Sequence, residues 1–112
     1  MYIGEAAKKT GLSIKAIRFY EAQGLIEPPT RLGRYRTYTV QDLELLLLIK
    51  EATELGVALS QLKGVISYRN GEIDWENIKV FLTEIRAQLI EQRTDIERKI
   101  NSLDACYAQI KP

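Results

Sequence analysis

The last third of the chain most limits what it can fold into. From Trp75 onward the seven-residue positions Trp75, Leu82, Leu89, Ile96, Leu103 and Ile110 are all apolar. Ile78 and Ile85 add a second seam position in the first half of the stretch, as a and d do in a coiled coil. In the second half the matching positions are Gln92, Lys99 and Cys106, while Ile100 and Tyr107 take up the neighbouring stripe. The seam therefore drifts as it does on a nearly straight helix. The spacing predicts one helix of about 35 residues, roughly 50 Å at about 1.5 Å per residue. A lone amphipathic helix of that length needs a partner for its apolar stripe.

The remainder of the 112 residues suffices for one small domain and no second core. Residues 4–9 are helix-compatible, with Ile3, Ala6 and Ala7 on one side, and Gly11 supplies the left-handed stop. Ser13 reads as the N-cap of a helix over 14–23, with Ile14, Ile17 and Leu25 facing inward and Lys15, Arg18 and Glu21 outward. Gly24 closes it. Two short helices joined by a glycine-containing turn form a helix-turn-helix, whose second helix enters a major groove. Pro28 and Pro29 predict an extended segment, and residues 31–39 a small hairpin or wing with Gly33 between basic residues.

Thr39 and Asp42 have capping-box spacing, and Leu43, Leu46, Leu47, Ile49, Ala52 and Leu55 fill a broad helical face ending at Gly56. Leu59, Leu62, Val65 and Ile66 continue as another helix to about Tyr68. Arg69, Asn70 and Gly71 then break the chain, and Asp74 caps the long helix.

The net charge of +1 hides an uneven distribution. Residues 1–38 hold seven Lys/Arg against three Glu, a balance of +4, whereas residues 51–112 hold eight basic against ten acidic side chains, or −2. The basic character sits at the N-terminal end, which supports a nucleic-acid partner, although a solvated surface with no partner would look similar. No apolar run reaches the roughly 18 to 20 residues that span a bilayer, and the first ten residues lack a signal-peptide core. A cytoplasmic protein with no membrane partner is expected. The single cysteine, Cys106, agrees with a reducing compartment. With no histidine, no nucleophile motif and no phosphate-binding glycine loop, no catalytic constellation can be assigned, and no cofactor is implied. Glu72, Asp74 and Glu76 read as helix N-terminal charges favoured by the macrodipole.

An ordered set of residues gives these elements a familial likeness. Ile3-Gly4-Glu5 with Ala7, Thr10-Gly11-Leu12-Ser13, Ile17-Arg18-Phe19-Tyr20-Glu21 and Gly24-Leu25-Ile26 resemble the N-terminal signature of MerR-type transcriptional regulators. The likeness continues through Tyr35-Arg36-Thr37-Tyr38, Asp42-Leu43, Ile49 and Leu55-Gly56, covering about the first 66 residues. The long helix resembles that family's antiparallel dimerisation helix in kind and place. Three departures stand out. Arg34 directly precedes Tyr35 where family wings often carry Asn-Gly, Ala58 stands where a Ser or Thr often caps the fourth helix, and Cys106 is alone where metal-sensing branches gather two or more cysteines in a loop after the long helix. The effector class is therefore not carried over.

The expected fold is mainly α: a winged helix-turn-helix DNA-binding domain over 1–69, then a linker and long antiparallel coiled-coil dimerisation helix over 70–112. Lys15, Arg18 and Tyr20 on the second helix, with Arg34, Tyr35 and Arg36 in the wing, are the expected DNA contacts. Lys and Arg reach phosphates or guanine edges, and interleaved cations and aromatics suit flanking phosphates or the minor groove. The resemblance gives Arg18 and Tyr20 mainly backbone roles. On an arbitrary helix Lys15 would be a solvated side chain, Tyr20 a half-buried core residue and the wing a plain surface hairpin. Strand alternation turns Tyr38 inward.

Trp75, Ile78, Leu82, Ile85, Leu89, Ile96, Leu103 and Ile110 form the expected homodimer seam. The resemblance implies a dimer that bends and untwists a palindromic promoter site, engaging RNA polymerase indirectly through that promoter. The competing reading is a coiled-coil adaptor that binds another protein and uses the helix-turn-helix as a scaffold. No metal site is expected. Cys106 reads as a small apolar filler at the seam, with an effector role as its alternative.

Overall fold

The computed structural model describes residues 1–27, 31–32 and 35–111, with 31–32 and 35–36 described by their backbone alone. The expectations for Pro28, Pro29, Gly33 and Arg34 lie outside the described residues. The chain divides into two compact units, Met1–Asp74 and Trp75–Pro112.

The first unit runs α1 (Ile3–Thr10), α2 (Ile14–Ala22), β1 (Arg31–Leu32), β2 (Tyr35–Arg36), α3 (Val40–Glu54), α4 (Leu59–Val65), β3 (Tyr68–Arg69) and β4 (Glu72–Ile73). α1 stops because Gly11 adopts φ +74°, which turns its N–H onto the Ala7 carbonyl at 2.9 Å. Thr10 is buried at that corner. Its Oγ1 donates to Ala6 O at 2.8 Å and accepts from Leu12 N at 3.3 Å. Lys50 Nζ from α3 donates to Thr10 O at 3.3 Å, placing a cation at the negative end of α1.

α3 is the spine of this unit, with α1 and α4 packed against it and α2 against α1. Leu45, Leu46 and Ile49 of α3, Ile17 of α2, Leu62 of α4, and Leu25 and Ile26 in the segment after α2 are all 0–1% exposed. Each such side chain contributes about 1.5–3 kcal/mol of burial. The capping box forms as its spacing predicts, with Thr39 Oγ1 accepting from Asp42 N at 3.1 Å and Asp42 Oδ2 accepting from Thr39 N at 2.9 Å. At α4, Ala58 supplies no side-chain cap, and Gln61 Oε1 instead accepts from the Ala58 N–H at 3.0 Å.

Several readings of the sequence are corrected. Ile14 (39% exposed), Leu47 (37%) and Leu55 (66%) are not core, whereas Leu45, which the helical face omitted, is fully buried. α3 is enclosed on more than one side, so its apolar residues outrun a single stripe. Arg69 to Gly71 do not simply break the chain. Asn70 (φ +54°) and Gly71 (φ +77°) are both left-handed, as a two-residue hairpin turn requires, and β3 pairs antiparallel with β4 in the register Tyr68↔Ile73, Arg69↔Glu72. That hairpin straddles the 69/70 division read from the sequence and belongs with the first unit, which ends at Asp74. It is anchored by Ile73 N–H to Gln41 Oε1 at 3.1 Å and by Glu27 N–H to Tyr68 Oη at 3.2 Å.

The second unit is α5, Trp75–Ala108, 34 residues long. Gln109 N and Ile110 N close a last tight turn onto the carbonyls of Cys106 and Tyr107, so Ile110 lies just past the helix. Arg98 pairs with the Asp95 carboxylate and Lys99 pairs with it at 3.1 Å, together holding the Asp95 carboxyl below its ordinary pKa. No helix among the described residues is long and apolar enough to cross a membrane.

Candidate nucleic-acid interface

The presentation of α2 begins with its cap. Ser13 accepts from the Ala16 N–H at 3.0 Å and fixes where the helix starts. Ile17, wholly buried, pins the inner face. Lys15 and Arg18, two residues before and one after that anchor, are turned about 160° and 100° away from it by the 3.6-residue turn, and both are exposed as expected. Tyr20 is half-buried, its ring 6.0 Å from that of Phe19 at an interplanar angle of 57°.

Two apolar side chains share the outward arc with the cations: Ile14, 39% exposed, and Phe19, 46% exposed. Glu21, expected outward, is half-buried and accepts a hydrogen bond from the Tyr38 hydroxyl. Sequence reasoning passed over Phe19. Its position four residues after Lys15 was the signal that both share one face. An open groove of about 590 Å³ runs beside this arc, lined by Lys15, Phe19 and Tyr20 on one side and Thr53, Val57 and Leu59 on the other. The α3–α4 turn thus contributes to the surface that α2 presents, which no local pattern announced.

The wing is a two-stranded antiparallel sheet with the register Arg31↔Arg36, Leu32↔Tyr35. Tyr35 and Arg36 lie on β2, with only their backbone described, and Arg34 lies outside the described residues. The exit of the wing is tied to the body. Tyr38 is 2% exposed, its N–H donates to Met1 O at 2.7 Å, and its carbonyl accepts from the N-terminal amine at 3.1 Å. The inward placement expected for Tyr38 is what the structure has.

Along α5 the seam residues divide. Ile78 is buried and Trp75, Leu82 and Ile85 are half-buried, whereas Leu89, Ile96, Leu103 and Ile110 are 44, 55, 68 and 72% exposed. Ile100 and Tyr107 extend the exposed stripe at 51 and 78%. Cys106 is exposed, and no group of three or more His, Cys, Asp or Glu among the described residues could hold a metal ion.

Comparison with known proteins agrees with this architecture. The model of the MerR HTH family regulatory proteins matches residues 1–69. The HTH-type transcriptional regulator CueR of Salmonella typhi is 35% identical over 111 residues, covering 98% of this chain and 76% of the relative. A probable heavy metal-dependent transcriptional regulator of Haemophilus influenzae is 35% identical over 118 residues, covering 100% of this chain and 92% of the relative. Among solved structures, that of HiNmlR, a MerR family regulator lacking the sensor domain and bound to promoter DNA, shares the fold with a TM-score of 0.55 at 23% identity, covering 96% of this chain and 78% of that one. The relatives are regulators of transcription and not enzymes. A family match over residues 1–69 and a 35% identical relative that this chain covers to 76% show that this chain belongs to the MerR family of transcriptional regulators.

Proposed function

We propose that the chain works as a homodimer that grips a palindromic promoter site through α2 and the wing and acts by distorting it. The observation that carries this reading is the outer arc of α2, where exposed Lys15 and Arg18 are held in place by a capped first turn and by Ile17 beneath. Lys15 and Arg18 meet phosphates or guanine edges and Tyr20 donates to a phosphate. Arg34, Tyr35 and Arg36 extend the contact to flanking DNA. The DNA complex of HiNmlR, a fold relative, supports this use of the scaffold.

The second half of the reading is the dimer. A stripe that leaves Leu89, Ile96, Leu103 and Ile110 at 44–72% exposure in the single chain calls for a cover, and a second copy supplies one. A two-fold axis near Gln92 sets Trp75 against Ile110, Leu82 against Leu103 and Leu89 against Ile96. Two reading heads on one dimer match an inverted repeat. Bending and untwisting the DNA between them costs of order 1–6 kcal/mol, within reach of a dimer's phosphate contacts, and RNA polymerase is affected through the altered promoter.

The heavy-metal designation of the H. influenzae relative is not extended to this chain. Its 112 residues offer one thiol and no imidazole, and tight thiophilic sites gather several such ligands. The experiment is selection of bound duplexes from a randomised library. Wild type is expected to enrich an inverted repeat, and Arg18→Ala to enrich nothing while keeping its partner helix. Equal enrichment by both chains refutes the role of α2.

A further inference from the structure

An apolar side chain stands at the end of α2 that meets base edges first. Ser13 Oγ is taken up by the Ala16 N–H, so Ile14 is the first side chain of the helix that can reach outward. It keeps 39% of its surface exposed, one turn before an Ile17 that keeps none. Ile14 and Arg18 are i and i+4 neighbours, and Lys15 continues the same exposed edge. Cα–Cβ bonds tilt toward the N-terminus of a helix. Ile14 therefore leans toward the end that contacts base edges when a helix-turn-helix docks.

We propose that Ile14 is a specificity-determining residue that reads the C5-methyl group of one thymine in each half-site. The inference rests on the DNA-binding reading of α2. Thymine alone among the four bases carries a methyl group on its major-groove edge. A sec-butyl side chain offers neither donor nor acceptor, so it rewards that methyl and leaves the amino group of a cytosine without a partner. Lys15 and Arg18 are donors only. They bind acceptors on guanine or phosphate and are blind to the methyl. Removing one buried methyl contact should weaken binding about fourfold.

The test uses the full chain and duplexes selected from the randomised library. Each thymine of the enriched site is replaced singly by deoxyuridine, which keeps every hydrogen-bonding group and lacks only the methyl, and affinity is read by fluorescence anisotropy. Wild type should lose about fourfold at one thymine per half-site, Ile14→Ala should show no loss there, and Ile14→Val an intermediate one. Two results would overturn the inference and leave DNA binding intact: no uridine duplex weakened for wild type, or an Ile14→Ala chain as sensitive as wild type. Failure to enrich any duplex sinks the DNA reading and this inference with it. Circular dichroism checks the fold of each variant. If Ile14→Ala is unfolded, the Val variant decides: sensitivity below wild type supports the contact, and equal sensitivity refutes it.

Discussion

Replacing Leu89 with glutamate places a carboxylate beside the proposed two-fold axis, where it faces Ile96 of the second copy. Full burial of a leucine contributes about 1.5–3 kcal/mol, and Leu89 has 44% of its surface left to cover. The dimer therefore loses roughly 1 kcal/mol of burial per copy, about 2 over both. Each carboxylate buried without a cation adds about 1–3 kcal/mol. The total of about 4–8 kcal/mol weakens the dimer roughly a thousandfold or more. Sedimentation equilibrium at micromolar concentration should report monomer, while circular dichroism reports an intact first unit. Val80→Glu is the control, because Val80 is 58% exposed and off the seam. The register is tested by pairing Leu89→Glu with Ile96→Lys. An antiparallel dimer brings the new charges together and regains affinity, whereas a parallel one sets like against like and does not. A Leu89→Glu chain that sediments as a folded dimer refutes the seam, and a double variant no tighter than the single one refutes the register.

Affinity for duplex DNA should fall steeply with salt, and Arg18→Ala or Arg36→Ala should each reduce the slope of log affinity against log salt by about 0.9; an unchanged slope in both removes them from the interface. Cys106→Ser should leave dimerisation and DNA binding as they are, and a sub-micromolar, Cys106-dependent response of Trp75 fluorescence to zinc, cadmium or copper(I) would overturn that assignment. Burial pushes the Tyr68 phenol above its ordinary pKa of 10.0, with the carboxylates of Glu27 and Asp42 adding to the rise and the Glu27 N–H opposing it. Unfolded tyrosine ionises first, so this stabilisation is complete below about pH 10 and is lost as pH rises through the folded value. Tyr68→Phe should therefore flatten the decline of urea stability between about pH 9 and 11, and an unchanged decline would show that other groups govern it.

The parts of the fold legible in the sequence are those decided within a few residues. Ser13, the Thr39–Asp42 pair and Gly11 each act through a bond to a neighbour three or four positions away, so their spacing alone places three helix ends. The heptad positions likewise act within one helix. What the sequence misplaced was burial. Leu45 and Leu47 are both leucines in one apolar run, yet one is fully buried and the other 37% exposed, because the neighbours of α3 and not its period decide which sides are covered. The second hairpin was missed for another reason. Its strands have two residues each, too short for alternation to show, although Asn70-Gly71 carried the turn signal.

The same distinction separates the two halves of the candidate site. Lys15 and Arg18 were legible because a cation on an amphipathic helix faces outward whatever surrounds it. Ile14 was read as core because isoleucine normally is, whereas at the first turn of α2 it keeps 39% of its surface exposed. An apolar residue so exposed costs solvation in the free protein, and a surface with no partner would gain by replacing it with serine or threonine. On a helix whose outer edge otherwise carries cations, the methyl-bearing edge of a base pair is a surface against which that cost is recovered. Ile14, like Glu21, is thus a place where the sequence-based reading and the structure disagree within the candidate interface, and local disagreements of that kind are expected at functional or strained sites.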